Sequence, residues 1–393
     1  MSARGPIWRE PGMAALALMT CAGFSGYALL LTVAPLWAVE GGAGTAGSGL
    51  VNGVLLLFTV LTQLLVPRAL ERFGWGPVLA AGLSLMSVPG MLYGLDDGLA
   101  AILGLSALRG VGFGILTVTG SAAVAALVDP RRRGEAIGAY GLAIAIPNLV
   151  LLPAGPWIAA TFGFGWVFAL NVLPLVGIPA ALRLASTLRR TTAEVVAPVD
   201  PVDDDEDVLR HLLSPILILL AVTLAGGAVV TFTPQAVDSP SIAAAGLFLM
   251  GFASAVSRWR AGVLADRYGA QRFVVPMVAL TAVAMAGVAW AVARPSDIAF
   301  LVALLLLGLC YGGLQNLTLL ISFAAVARRH HNRASAFWNI GFDAGTALGS
   351  VAVGVIAELT SFTTAFLICG AIAAATLPLA LRRPRTVPAH DGS

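Results

Sequence analysis

Residues 262–272 read Gly262-Val263-Leu264-Ala265-Asp266-Arg267-Tyr268-Gly269-Ala270-Gln271-Arg272 and interrupt two long apolar runs with glycine and opposite charges. A weaker copy lies about 195 positions earlier, where Pro67-Arg68-Ala69-Leu70-Glu71-Arg72-Phe73-Gly74-Trp75 separates two further apolar runs. A charged turn between hydrophobic spans that occurs once in each half is typical of a duplicated membrane transporter.

The composition indicates that lipid is the solvent for most of this chain's surface. Hydrophobic residues make up 58% of the 393 residues and charged residues 11%, whereas a soluble domain carries about 25% charged residues. The 23 basic residues, all arginine, fall mostly in short loops rather than on one patch, so the net charge of +3 does not indicate a nucleic-acid partner. The three cysteines show no metal-ligand spacing, and we expect neither a metal nor a cofactor.

Twelve apolar segments are long enough to cross a bilayer, which takes about 20 residues. Breaks at glycine, proline and charged turns predict spans at 12–38, 48–67, 76–95, 98–128, 135–160, 165–187, 211–233, 241–260, 272–293, 297–327, 334–358 and 362–381.

The placement of arginine predicts which side each loop occupies. Arg294 lies in a loop assigned to the far side and Arg109 lies inside a span, while the other 21 fall on the side that holds both termini. Arginine collects on the cytoplasmic side of membrane proteins. We therefore expect both termini in the cytoplasm and the chain in a bacterial inner (plasma) membrane.

The chain divides into two similar halves around one polar break. We predict six-helix bundles at 1–187 and 211–381, an acidic cytoplasmic linker at 188–210 and a tail at 382–393. The linker is either a solvated connection or a regulatory, cation-binding segment.

Residues 262–272 resemble motif A of the major facilitator superfamily, with Ala270 and Gln271 at positions that are basic in the motif. Arg109-Gly110-Val111-Gly112-Phe113-Gly114 is similar to the superfamily's span-4 motif, which carries an intramembrane arginine. Gly155-Pro156-Trp157-Ile158-Ala159-Ala160 resembles the end of the span-5 antiporter motif, with alanine at two glycine positions.

This resemblance implies an all-α membrane protein of two pseudo-symmetric six-helix bundles that works by alternating access. It implies a secondary active transporter, and the span-5 motif favours proton-coupled export of a small organic molecule by antiport. The alternatives are a proton-coupled importer and a membrane receptor that does not transport. Nucleotide-binding and hydrolase motifs are missing from the sequence, so we expect no enzyme activity. We expect a monomer whose partners are the substrate, protons and lipid.

The two charged turns are candidates for a gate on the cytoplasmic side. The resemblance implies that Asp266 docks near Gly134 and that Glu71 docks near Ala334, while an ordinary short turn with cytoplasmic arginines is the alternative. The predicted gating residues are Gly262, Asp266, Arg267 and Gly269 in the second half, and Glu71, Arg72, Gly74 and Asp129 in the first.

Two ionisable residues, Asp343 and Arg109, lie near the middle of predicted spans. A charge at that depth costs at least about 2.5–3.5 kcal/mol on insertion scales, so each needs a partner or water. Asp343 is either a proton carrier, because burial raises a carboxyl pKa, or a structural partner of a group such as Arg258. Arg109 either organises the cavity wall and tunes a proton site, or makes a structural salt bridge or carbonyl cap.

Span 11 has two distinct faces. Ser335, Asn339, Asp343, Thr346 and Ser350 recur at helical spacing and form a polar stripe. A second stripe, made of glycines at 341, 345 and 349, follows the small-xxx-small pattern that lets helices pack closely.

Further polar and aromatic residues within the spans predict a substrate cavity, although each could instead form a hydrogen bond between helices. Aromatic rings and amides with few charges suit a moderately amphipathic organic molecule. The candidate lining residues are Tyr27, Asn52, Gln63, Tyr311, Gln315, Trp338 and Asn339.

Overall fold

The structure is a computed structural model that describes residues 7–128, 132–192, 205–326 and 331–381. Within these ranges the chain is helical and has no strands. Twelve of its helical segments are long and apolar enough to cross a membrane. The predicted all-α class with twelve spans is therefore confirmed.

The first six spans use nine α-helices, because a short helix follows span 2 and span 6 is broken into three. In chain order they are α1 (Met13–Glu40), α2 (Thr45–Gln63), α3 (Val66–Phe73), α4 (Trp75–Leu92), α5 (Leu99–Leu127), α6 (Arg133–Phe162), α7 (Phe164–Leu170), α8 (Leu173–Val176) and α9 (Ile178–Thr192).

The last six spans use seven helices, because span 12 is broken near its end. They are α10 (Asp205–Ala236), α11 (Pro240–Tyr268), α12 (Gln271–Ala293), α13 (Asp297–Ala324), α14 (His331–Leu359), α15 (Phe362–Ala375) and α16 (Leu377–Leu381).

The helices form two compact units. The first unit consists of the described residues of 1–43 and 54–199, and the second of those of 44–53 and 200–393. The first turns of α2 thus belong to the second unit and the rest of α2 belongs to the first.

Span 2 ends earlier than predicted because its last residues start a separate helix, α3. Pro67 stands in the first turn of α3, where its missing N–H costs nothing. Val66, Ala69 and Leu70 belong to an apolar cluster with the buried Val78, whereas Arg68 and Arg72 are exposed. The first copy of the charged turn is therefore an amphipathic helix that ends at Gly74.

Span 8 is longer than predicted, because α11 continues to Tyr268. The first seven residues of the quoted stretch are helical, and only Gly269 and Ala270 separate α11 from α12. As a result Arg258, which the sequence placed near a span end, lies about 15 Å from the last residue of its helix.

The predicted glycine stripe of span 11 does pack against a neighbouring helix. A Cβ at Gly345 or Gly349 would overlap the main chain of α10, at Leu220 and Leu224. Close backbone approach without side chains allows many van der Waals contacts between helices in a membrane. The stripe thus fixes α14 against α10 inside the second unit.

Candidate functional site

A cluster of polar side chains surrounds the Tyr311 hydroxyl within the second unit. The side chains of Gln315 of α13 and Thr346 of α14 lie beside it, and the charges of Arg258 and Asp343 act on it. These five residues, which we call the Tyr311 cluster, join α11, α13 and α14. The ring of Tyr311 packs against α10 at Gly226.

Asp343 contributes a buried carboxyl to the Tyr311 cluster. Its exposed fraction is 6%, and that of Gln315 is 4%. One helical turn further along α14, the Thr346 hydroxyl donates to the Phe342 carbonyl oxygen at 2.9 Å. The carboxyl therefore sits among polar groups at a depth where an unassisted charge is costly.

Arg258 contributes a guanidinium to the cluster, and the residue is exposed. Its Nη1 donates to Gln315 Oε1 at 3.4 Å, and its own carbonyl oxygen accepts from Asn316 Nδ2 at 2.6 Å. In the described ranges no ion pair joins Arg258 to a carboxylate. The hypothesis of a direct Arg258–Asp343 pair stays a prediction, and both charges act on the Tyr311 hydroxyl.

Two aromatic rings, those of Trp338 and Phe342, stand beside the Tyr311 cluster. The indole of Trp338 stacks on Phe342 with centroids 5.8 Å apart, and Phe342 lies 6.3 Å from the Tyr311 ring. The indole N–H of Trp338 donates to Thr318 Oγ1 at 3.1 Å, which fixes the ring. Such rings offer apolar surface with defined orientation.

Asn52 lies in a buried hydrogen-bond chain of the second unit. Its Nδ2 donates to Thr231 Oγ1 at 2.9 Å, and the Thr231 hydroxyl lies 2.8 Å from that of Ser350. A few residues earlier, the backbone N–H of Ala46 donates to a Glu358 carboxylate oxygen at 2.7 Å. The start of α2 is thus tied to α10 and α14.

Arg109 lies at the centre of the first unit and is fully buried. Its Nη2 donates to the Gly26 carbonyl oxygen at 3.0 Å, and its guanidinium lies 5.7 Å from the Tyr93 ring centroid. Within the described part of the chain it forms no ion pair, and its Nε has no hydrogen-bond partner. The carbonyl contact named among the alternatives above is thus present, and a role of Arg109 at a cavity wall stays a prediction.

The remaining cavity candidates have separate surroundings. In the first unit, Tyr27 stacks on Phe113 with centroids 3.9 Å apart, and Gln63 Nε2 donates to Thr117 Oγ1 at 3.3 Å. In the second unit, Asn339 is exposed and donates to the Ser335 carbonyl oxygen at 2.9 Å.

Both charged turns end at a glycine with positive φ. Gly74 has φ 76° and Gly269 has φ 84°, in a region that other residues rarely adopt. Each glycine N–H caps the preceding helix. That of Gly74 donates to the Leu70 carbonyl oxygen at 2.9 Å, and that of Gly269 donates to the Ala265 carbonyl oxygen at 2.8 Å. The repeat inferred from the sequence therefore extends to the backbone conformation.

The charged members of the gate are only partly described. The side chain of Asp266 and the whole of Asp129 lie outside the described residues. Arg267 lies over the ring of Tyr268 at 5.2 Å and Arg72 over that of Phe73 at 5.4 Å, while Glu71 is exposed. Gly262 is inside α11, where a Cβ would come 2.9 Å from Asn316 Nδ2.

Sequence reasoning missed two polar features of the first unit. Asn171 is fully buried where span 6 breaks, and its backbone carbonyl oxygen accepts a hydrogen bond from the Ser87 hydroxyl. Arg132 pairs with Glu10. Pro174 and the glycine at 177 mark the break in the sequence, whereas nothing in the sequence indicates the Glu10 pair.

The profile of the Major Facilitator Superfamily matches this sequence over residues 16–324 and 239–393. The chain belongs to this superfamily of membrane transporters, as its motifs indicated, and it is a multi-pass membrane protein with the superfamily's fold.

Curated relatives are transporters. The staphylopine export protein of Staphylococcus aureus is 23% identical over 391 residues, which cover 96% of this chain and 97% of that protein. The uncharacterized MFS-type transporter Rv1250 of Mycobacterium tuberculosis is 29% identical over 139 residues, 35% of this chain and only 24% of the relative's length.

Solved structures share the fold. A bacterial homolog of the human lysosomal transporter Spinster, crystallised in an inward-facing and occupied conformation, superposes with a TM-score of 0.70. The two chains are 15% identical, and the match covers 96% of this chain and 97% of the other.

Proposed function

We propose that this protein exports a small amphipathic organic molecule from the bacterial cytoplasm in exchange for protons. It would work as a monomer in the plasma membrane by alternating access, and it would perform no enzymatic reaction. The observation that carries the proposal is the buried carboxyl of Asp343, which acts on the Tyr311 hydroxyl together with the Arg258 charge.

Asp343 is suited to bind and release a proton as its surroundings change. In a dry environment the neutral acid is favoured, and near water or a cation the carboxylate is favoured. A proton taken up from outside would neutralise Asp343, and it would be released to the cytoplasm when the site opens there. Tyr311 and Thr346 offer hydroxyl groups that can hydrogen-bond along this path.

Two observations favour export over import. A relative that covers nearly the whole chain is named as an export protein, and residues 155–160 resemble the end of the antiporter motif. Import by symport would use the same carboxyl and is the second candidate. A receptor without transport activity has no need of a buried carboxyl in a polar cluster.

An efflux screen tests the proposed function. A pump-deficient bacterial host would express the wild type, Asp343→Asn or Asp238→Asn, and the accumulation of a compound library would be measured. Asp238→Asn is the matched control, because it removes an exposed carboxylate from a loop of the same unit. We expect the wild type and the control to lower accumulation of some compounds and Asp343→Asn not to. Identical accumulation in all three strains contradicts export.

A further inference from the structure

We propose that Arg258 binds the carboxylate of the transported molecule, so that the substrates are amphipathic organic acids with an aromatic or apolar body. This inference rests on the proposed function, because it assigns the substrate class of the same site. It adds a role for Arg258 that is separate from proton coupling.

The position of Arg258 within α11 indicates that its guanidinium faces water rather than lipid. The residue lies about 15 Å from the last residue of α11, where a cation that faced lipid would cost at least about 2.5–3.5 kcal/mol. Its side chain is nevertheless exposed. These facts agree if the guanidinium borders a water-filled part of the second unit that a solute can reach.

The hydrogen bonds of Arg258 leave room for an anion. A guanidinium has five N–H donors in a planar fork that matches the two oxygens of a carboxylate. Among the described residues the side chain makes one hydrogen bond, which is long at 3.4 Å and goes to an uncharged amide, that of Gln315. With no ion pair to a carboxylate in the described ranges, the charge is available to a ligand.

The rest of the site suits the body of such a molecule. A connected row of aromatic rings is formed by Tyr311, Phe342 and Trp338. Tyr311 also interacts electrostatically with the Arg258 guanidinium. A ligand that places its carboxylate at Arg258 can therefore rest an apolar group on aromatic surface a short distance away. The fixed indole of Trp338 gives this surface a defined orientation.

A binding experiment with two probes tests this assignment. N-acetyl-L-tryptophan and its primary amide differ only in the carboxylate, and their Kd values for the full-length protein in detergent would be measured by titration calorimetry. The variants are Arg258→Gln, Arg258→Lys and Arg260→Gln. Arg260 is the matched control, because it is exposed on the same helix and lies over the ring of Trp259 instead of in the Tyr311 cluster.

For the wild type and Arg260→Gln we expect the acid to bind about tenfold more tightly than the amide, as a charge-assisted hydrogen bond predicts. Arg258→Gln should remove this preference, and the amide binding that remains shows that the variant is folded. Arg258→Lys should keep part of the preference for the acid over the amide.

Equal affinity of the wild type for acid and amide overturns the proposal, as does failure to bind either probe. It is also overturned if Arg258→Gln and Arg260→Gln change the preference equally. These measurements use no ion gradient. An Arg258-dependent preference without proton flux in vesicles would therefore contradict the proposed coupling and leave the carboxylate site standing.

Discussion

The guanidinium of Arg109 in α5 donates to the carbonyl oxygen of Gly26 in α1 at 3.0 Å. Both residues are buried, and the same guanidinium lies against the Tyr93 ring that follows α4. One side chain thus connects three spans of the first unit. A planar group with several donors can make such contacts together, whereas an ammonium is a single point of charge.

We expect Arg109→Lys to lower the free energy of unfolding by about 1–2 kcal/mol, because lysine keeps the charge but loses one of these contacts. Thermal unfolding of the purified protein in detergent measures the effect. Arg183→Lys is the control, since Arg183 is exposed in the same unit. Equal unfolding temperatures for the two variants would show that the Gly26 contact is not important for stability.

The seam between α14 and α10 should not tolerate a methyl group. Alanine at Gly349 would overlap the Leu224 carbonyl oxygen, and we expect a loss of about 1–3 kcal/mol as the helices move apart. Gly104→Ala is the matched control, because nothing lies within 4 Å of a Cβ there. That variant should be neutral or slightly more stable, since alanine favours helix. If both variants unfold at the same temperature, the close approach does not hold the unit together.

The carboxylate of Glu358 should protect the first turn of α2. The Ala46 N–H has no partner within its own helix at this position and donates to Glu358. A neutral amide is a weaker acceptor, so in Glu358→Gln we expect this amide to exchange its hydrogen about fivefold faster. Hydrogen exchange with mass spectrometry measures the rate, and Glu40→Gln, at the exposed end of α1, serves as control. If the Ala46 amide exchanges at the wild-type rate in Glu358→Gln, the Glu358 carboxylate does not protect the start of α2.

The two charged turns should contribute unequally to transport. The second copy keeps the glycines, aspartate and arginine of motif A, whereas the first has Pro67 and Glu71 in place of glycine and aspartate. We expect Asp266→Asn to reduce transport more than Glu71→Gln, and the reversal Asp266→Arg to reduce it most. Uptake into vesicles at equal protein content ranks the three. A larger loss in Glu71→Gln would contradict the asymmetry.

Much of the fold could be predicted because lipid imposes a simple rule on each span. About 20 apolar residues between charged turns give the number of helices, and glycines such as Gly74 and Gly269 mark turns that need positive φ. The break in span 6 was missed because its interior proline and glycine do not lower the hydropathy of the segment. The end of span 8 was misplaced because Arg258 and Arg260 indicated the end of the apolar run, although their helix continues to Tyr268.

The site was predictable in its parts but not in its connections. The spacing on span 11 indicated that Asp343 and Thr346 share a face, and the structure brings both to Tyr311. It could not indicate that Asn339, on the same stripe, is exposed, because helical periodicity does not show where a neighbouring helix ends. Contacts between distant residues, such as Asn52 with Thr231, depend on packing that one sequence does not reveal.

Proton flux through vesicles tests the central claim most directly. Purified wild type, Asp343→Asn and Asp238→Asn would be reconstituted with a pH-sensitive dye inside, and a gradient of a compound identified by the efflux screen would be applied. We predict that the gradient moves protons in the opposite direction with the wild type and Asp238→Asn, and moves none with Asp343→Asn. Proton movement by Asp343→Asn at the wild-type rate would contradict the account.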